Sequence, residues 1–146
     1  MKLGVFTVLF AEKSLGDMLD HVKDAGLRAM EIGTGGNPGN AHCQLNELLI
    51  SEDKRKEYLD KIHSRGFTIS AFSCHDNPIS PDKAHAQRSH DTFVKTVRLA
   101  EMMNVPVVNT FSGITGSNED SKYPNWPITQ WPTAYSDILN WQWEEK

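Results

Sequence analysis

Cysteine is scarce: Cys43 and Cys74 are the two in 146 residues, too few for the disulfide framework of a small secreted domain. Positive charge is also in short supply, with 15 Lys plus Arg against 19 Asp plus Glu and a net charge of -4. The one cationic cluster, Lys54-Arg55-Lys56, is flanked by Glu52, Asp53 and Glu57. A protein that binds nucleic acid through its phosphates needs a concentrated basic surface, so nucleic acid is excluded as the expected partner. Long apolar runs are missing as well. The longest, over 3–11, meets Glu12-Lys13 where a signal-peptide cleavage site would lie, and it falls far short of the roughly 20 residues that span a bilayer. No membrane partner is expected, and the cytoplasm is the expected location. What is present, 38% hydrophobic and 23% charged residues, is the composition of a folded domain.

Short apolar runs alternate with stretches of helical period, the pattern of βα units around a parallel sheet. The first strand is expected over 3–9, followed by a helix opening at Ser14, with Asp17 at the capping-box position and Leu15, Met18, Leu19 and Val22 as its apolar stripe. The second strand spans 29–32. A long loop leads to a helix from about Ser51, with Tyr58, Leu59 and Ile62 inward and Gly66 at its end. The third strand covers 67–72. Its helix follows Ser80-Pro81, a cap with proline at the first helical position, and its expected buried stripe is Phe93, Val94, Val97, Ala100 and Met103. A fourth strand spans 105–111. A polar and aromatic segment over 112–132 precedes a helix near Thr133 that the chain end cuts short.

The strands begin about thirty to forty residues apart, the pace of a (β/α)8 barrel. The expected fold is therefore α/β, the first four βα units of a TIM barrel occupying 1–146. Such a half-barrel leaves one sheet face and two strand edges uncovered. An incomplete chain and self-association are expected on that ground.

Barrels of this kind build their sites at the carboxyl ends of the strands. Here those ends read Glu31-Ile32-Gly33, Ser73-Cys74-His75-Asp76-Asn77-Pro78 and Asn109-Thr110-Phe111-Ser112-Gly113. Glu31, His75 and Asn109 are the candidates. Any one of them also fits a structural role, Glu31 beside a cation or His75 and Asp76 in a turn; their joint placement favours a site.

Three other features suggest chemistry less well. Gly33 to Gly39 follows a strand like a phosphate-cradling loop, but no Gly-Lys-Ser/Thr follows and no helix opens promptly, so it reads as a flexible site loop. His42-Cys43 and Cys74-His75 fit no recurring zinc spacing, and adjacent residues in extended chain point apart. Both thiols read as structural. His21, His63, His85 and His90 fall among charged residues on expected helices and read as solvated.

The segments 29–33, 73–78 and 107–113, with Arg98-Leu99-Ala100-Glu101 ahead of the fourth strand, together resemble the first half of the sugar phosphate isomerase/epimerase family, which has the xylose isomerase-like TIM barrel. The resemblance covers essentially the whole chain. It implies kinship with tagatose epimerases, inosose dehydratases and hydroxypyruvate isomerases, and more distantly with zinc-dependent endonucleases. In that endonuclease branch a histidine follows the third strand, as His75 does, and another follows the fourth. Phe111 and Ser112 stand near the second position, and phenylalanine binds no zinc.

The sugar branch implies a divalent metal (Mn, Co, Mg or Zn) and proton transfer beside a carbonyl through an enediolate. Its metal ligands and acid/base glutamates lie mainly in the second half of the barrel, so neither catalytic residues nor a metal site are expected in this chain, which alone is expected to be inactive. The resemblance implies substrate-shaping roles for Glu31, His75 and Asn109, with Tyr123, Trp126 and Trp131 as an aromatic wall over a sugar or sugar-like molecule. Trp141 and Trp143 read as packing residues. A non-catalytic half-barrel that binds carbohydrate or protein, and an NAD-linked or dehydratase activity on inositol-like substrates, remain the alternatives.

Overall fold

The computed structural model describes residues 2–125. They fall into two compact units, one formed by residues up to His75 together with Asp91–Thr110, the other by Asp76–His90 together with residues from Phe111 on. The first unit holds the sheet: β1 (Gly4–Phe6), β2 (Ala29–Gly33), β3 (Thr68–Ser73) and β4 (Val108–Asn109), ordered β1-β2-β3-β4 and parallel throughout. Helices α1 (Leu15–Asp24), α2 (Leu45–Ile50), α3 (Glu52–His63) and α4 (Lys83–Met102) occupy the three crossovers. The α/β half-barrel order expected from the sequence is the one observed.

The local signals act as elementary chemistry requires. Ser14 accepts the Asp17 amide at 3.2 Å and donates its hydroxyl to the Asp17 carboxylate at 2.7 Å, a reciprocal cap. Ser51 accepts the Lys54 amide at the start of α3. Gly26 and Gly66 take φ of +82° and +84° where α1 and α3 stop, the left-handed conformation that releases a helix without a Cβ clash. Met18, Leu19 and Val22 of α1, Tyr58 and Ile62 of α3, and Met30, Ile32, Ile69 and Phe72 of the central strands form one buried core. On the surface of this unit the Arg65 guanidinium clasps Asp20 through Nε at 2.7 Å and Nη2 at 3.2 Å, and that bond holds the Asp20 carboxyl below the usual carboxylate range.

Five expectations are corrected. The first strand stops at Phe6, where its ladder with β2 ends at the Phe6–Glu31 pair. Beyond it there is no parallel partner among the described residues, and Thr7–Phe10 close into a 3-10 turn, leaving Leu9 exposed. The loop after β2 contains α2, whose six residues are too few to show a helical period; Leu45 and Leu48 anchor it. The fourth strand is shorter than 105–111, because only Val108 and Asn109 find partners on β3.

In α4, the capping group is the Asp82 carboxylate, which accepts the Ala84 and His85 amides at 2.9 and 3.2 Å, not Ser80. The buried face of α4 is rotated from the expected stripe. Ser89, Thr96, Leu99, Ala100 and Met103 lie inside, whereas Phe93 is 36% and Val97 42% exposed. Hydropathy misses the rotation because Thr96 enters the interior with its hydroxyl hydrogen-bonded, which removes most of the cost of burying it.

Two outcomes follow from this packing. Leu99→Ala should cost about 2–5 kcal/mol in chemical denaturation, as for a fully buried leucine, and Val97→Ala less than about 1 kcal/mol; equal losses would restore the original stripe. Burial pushes the Cys43 thiol up to about 12. Because the thiolate is the reactive form, a thiol reagent at pH 8 should label Cys43 in the native chain only as fast as the chain unfolds, while labelling it promptly in denaturant.

Candidate functional site

At the carboxyl ends of the strands, the spatial order of side chains depends on an irregularity. Ala29 and Met30 pair with Thr68 and Ile69, but Glu31 pairs with Ala71, so Ser70 is passed over. The skipped Ser70 donates its hydroxyl to the Met30 carbonyl at 2.9 Å. One extra residue reverses which side chains of β3 share a face with β2. As a result Ala71 and Ser73 lie on the face of Glu31, and Phe72 lies with Ile32 on the other, where both are fully buried.

Glu31 is half-buried at this end of the sheet. The fully buried Ser73 donates its hydroxyl to Glu31 Oε1, and Oε2 has no protein partner among the described residues. Phe6, the register partner of Glu31, meets the His75 imidazole edge to face, with ring centroids 6.0 Å apart and planes at 79°. Asn109 is the register partner of Ser73, and its carbonyl accepts the Cys74 amide at 3.0 Å. The structure therefore gathers Glu31, His75 and Asn109 around Ser73 and Phe6. The result is a carboxylate oxygen, an aromatic face and an imidazole within one strand-end cluster, a combination suited to hydrogen-bonding and covering a small polyhydroxylated molecule.

The sequence reading missed Ser73 and Phe6 as site residues. Ser73 stood in a quoted segment, but only the register shift puts its hydroxyl on the face of Glu31. Phe6 was hidden because an expected strand over 3–9 placed it mid-strand. The loop over 33–39 is also anchored rather than free: the Thr34 amide donates to the Ser73 carbonyl at 2.9 Å, and the Asn37 amide to the His75 carbonyl at 2.8 Å.

The second unit contains a pair joining His85, which the sequence reads as solvated, to Asp76, which it reads as part of a strand end or turn. His85 Nε2 lies 2.7 Å from Asp76 Oδ1, with side chains 25% and 12% exposed. The Asn77 side chain donates from Nδ2 to the Ile114 carbonyl and accepts the Ile114 backbone N–H at Oδ1, both at 2.9 Å, joining the two segments of this unit as a short strand pair would. Tyr123 is half-buried in the same unit. Trp126 and Trp131 of the expected aromatic wall lie outside the described residues, as do Trp141 and Trp143 and the helix expected near Thr133.

The soft-ligand pairs do not assemble. His42 is buried with Nε2 3.1 Å from the Lys13 carbonyl, and the Tyr58 hydroxyl donates to the His42 carbonyl at 2.8 Å. No group of three His, Cys, Asp or Glu side chains that could hold a metal gathers among the described residues. Among the same residues, no helix is long and apolar enough to cross a membrane.

Two comparisons bear on this arrangement. YfiH, an uncharacterized protein of Bacillus subtilis (strain 168), is 38% identical over 149 residues, an alignment that covers 99% of this chain and 47% of the relative. The chain thus spans about half the length of the curated relative it matches. Residues 19–140 match the family described as xylose isomerase-like TIM barrel, and the parallel sheet in sequential strand order is the order that family requires. This chain belongs to the xylose isomerase-like TIM barrel family.

Proposed function

We propose that the chain supplies the substrate-orienting half of a cytoplasmic sugar or sugar-phosphate isomerase or epimerase, with Glu31, His75 and Asn109 facing the substrate. The observation that carries this reading is the Ser73–Glu31 pair. By donating to Oε1, Ser73 fixes the carboxylate plane and leaves Oε2 to accept a hydroxyl of the ligand. His75, set against Phe6, offers a second polar group at the same strand ends. In the proposed reaction a proton moves next to a carbonyl; a divalent metal, held by residues outside those described, would supply polarisation of the hydroxy-carbonyl group. The described residues do not provide that metal's ligand set. The role proposed for them is to bind and orient the substrate, which lowers the barrier by holding the reacting carbon in place.

Removing the charge or its orienting donor should weaken monosaccharide binding. Glu31→Gln and Ser73→Ala should each raise the dissociation constant for a bound sugar by about tenfold or more, the scale of a hydrogen bond to a charged group, and His75→Ala should do likewise. The control is the exposed His63→Ala, since His85 is engaged by Asp76. Calorimetry over a monosaccharide panel reads the result; indifference of all three variants would remove Glu31 and His75 from the site.

We further propose that the 146-residue chain by itself self-associates. Among the described residues, β1 and β4 each have one unpaired edge, and Leu3 and Val107 beside them are 66% and 45% exposed. Apolar side chains along open strand edges favour pairing with another copy. Sedimentation velocity should show mass rising with concentration, and Val107→Lys should shift the distribution toward monomer. A monomer at every concentration would overturn the proposal.

A further inference from the structure

Thr34 and Thr96 are threonines buried to 2% and 0% exposure, and neither is used by the site as described so far. Thr34 follows β2 and Thr96 sits in α4, yet their hydroxyl oxygens are 2.8 Å apart. Thr96 Oγ1 is 2.8 Å from the Thr92 carbonyl, and Thr34 Oγ1 is 3.2 Å from the Ser73 carbonyl. Two hydroxyls bring two protons to three contacts. The Ser73 carbonyl already receives the Thr34 amide at 2.9 Å. If Thr96 donated to Thr34 and Thr34 to Ser73, two oxygens would face each other at 2.8 Å without a proton. The arrangement that puts a proton in both short contacts has Thr34 donating to Thr96 and Thr96 to the Thr92 carbonyl.

We infer that Thr34 and Thr96 are positioning residues, a hydroxyl clamp that ties the β2 loop and the end of β3 to α4 and thereby holds Ser73 where it donates to Glu31. Three features support the inference. The Ser73 peptide is gripped through its carbonyl by Thr34 while its own hydroxyl serves Glu31, so displacement of Thr34 displaces the donor. The adjoining Gly35 packs so closely on the same helix that a Cβ there would stand 2.7 Å from Thr92 Cγ2, which brings loop and helix together at a second point. The contacts are buried, where a hydrogen bond is electrostatically stronger than in water. The clamp rests on the sugar-site reading only for its purpose; its existence and its effect on Ser73 do not.

The clamp is suited to valine substitution because neither change strands a donor. In Thr96→Val the Thr34 hydroxyl can turn to the Ser73 carbonyl, and in Thr34→Val the Thr96 hydroxyl keeps the Thr92 carbonyl. Amide hydrogen exchange and the Ser73 hydroxyl proton, both read by NMR on the 146-residue chain, make the test. In Thr96→Val the Thr34 and Asn37 amides should exchange about tenfold faster, the fold-change equivalent to one net hydrogen bond, with Ile32 and Ile69 little changed. The Ser73 hydroxyl proton, buried and bonded to Glu31, should give a slowly exchanging signal in the wild type and lose it in Thr96→Val. Thr96→Ser should restore both, and Thr34→Val should act like Thr96→Val.

Unchanged local exchange with the Ser73 signal retained would overturn the clamp, and so would uniform acceleration through the sheet. Monosaccharide binding measured on the same proteins keeps the two readings apart. A wild-type chain that binds no sugar defeats the site reading and leaves the exchange data to decide the clamp. If Thr96→Val loses the Ser73 signal but binds sugar as the wild type does, the clamp stands and the orienting role of Ser73 in sugar binding falls.

Discussion

The extra residue at Ser70 is the constraint on which the candidate site depends. Side chains in a strand alternate between faces, so skipping one residue in the pairing of β2 with β3 exchanges the entire remaining set. In unbroken register Glu31 would stand opposite Ser70, and Phe72 would be its same-face neighbour. With the shift, Phe72 joins Ile32 in the fully buried core and Ser73 joins Glu31. The same irregularity therefore closes the core and furnishes the carboxylate with its donor. The local cost is small, because the Ser70 hydroxyl bonds the Met30 carbonyl.

Around that pair the first unit divides its polar groups by function. Those that fix the backbone are internally paired: Ser73, Thr34 and Thr96 share hydrogen bonds across β3, the β2 loop and α4, and Tyr58 serves the His42 carbonyl. Glu31 differs in keeping one oxygen without a protein partner among the described residues while the other is held. A buried hydroxyl network with its bonds made gives a fixed framework at little net cost, whereas a carboxylate with one open oxygen is poised to bind. Cys43 sits outside this division; burial holds its thiol in the unreactive protonated form, so it acts as a small apolar side chain.

The family relation sets the frame for chemistry without deciding it. Folds of this kind carry many reactions on one scaffold, and what differs among them is the set of residues at the strand ends. Here that set contains one oriented carboxylate, an imidazole against an aromatic ring and an asparagine in register with the orienting serine. Such groups recognise hydroxyls. The relative that aligns with 99% of this chain has no assigned activity in its description, so the reading rests on the strand ends of the present molecule.

The sequence by itself determined the parallel βα order, the ends of α1 and α3 and most of the core, because these depend on short-range chemistry. Ser14 and Ser51 each cap an amide three residues away, Gly26 and Gly66 release their helices through their own φ, and the apolar period of α1 names its inward face unaided. The ends of β2 and β3 followed, to within a residue, from the apolar runs, which is why Glu31 and His75 were legible as candidates; Asn109 was named although its strand was drawn too long. The tertiary structure alone decided the register of β3 on β2, the face of α4 that is buried and the pairing of Asp76 with His85. Each depends on a partner distant in sequence or on a side chain whose hydropathy misstates its place. Thr96 is buried because Thr34 meets it 62 residues away, and Ser73 reaches Glu31 because one residue is skipped between strands. Periodicity along one chain carries no record of either event, since the energy that fixes them lies in contacts that form only when the strands and α4 are already side by side.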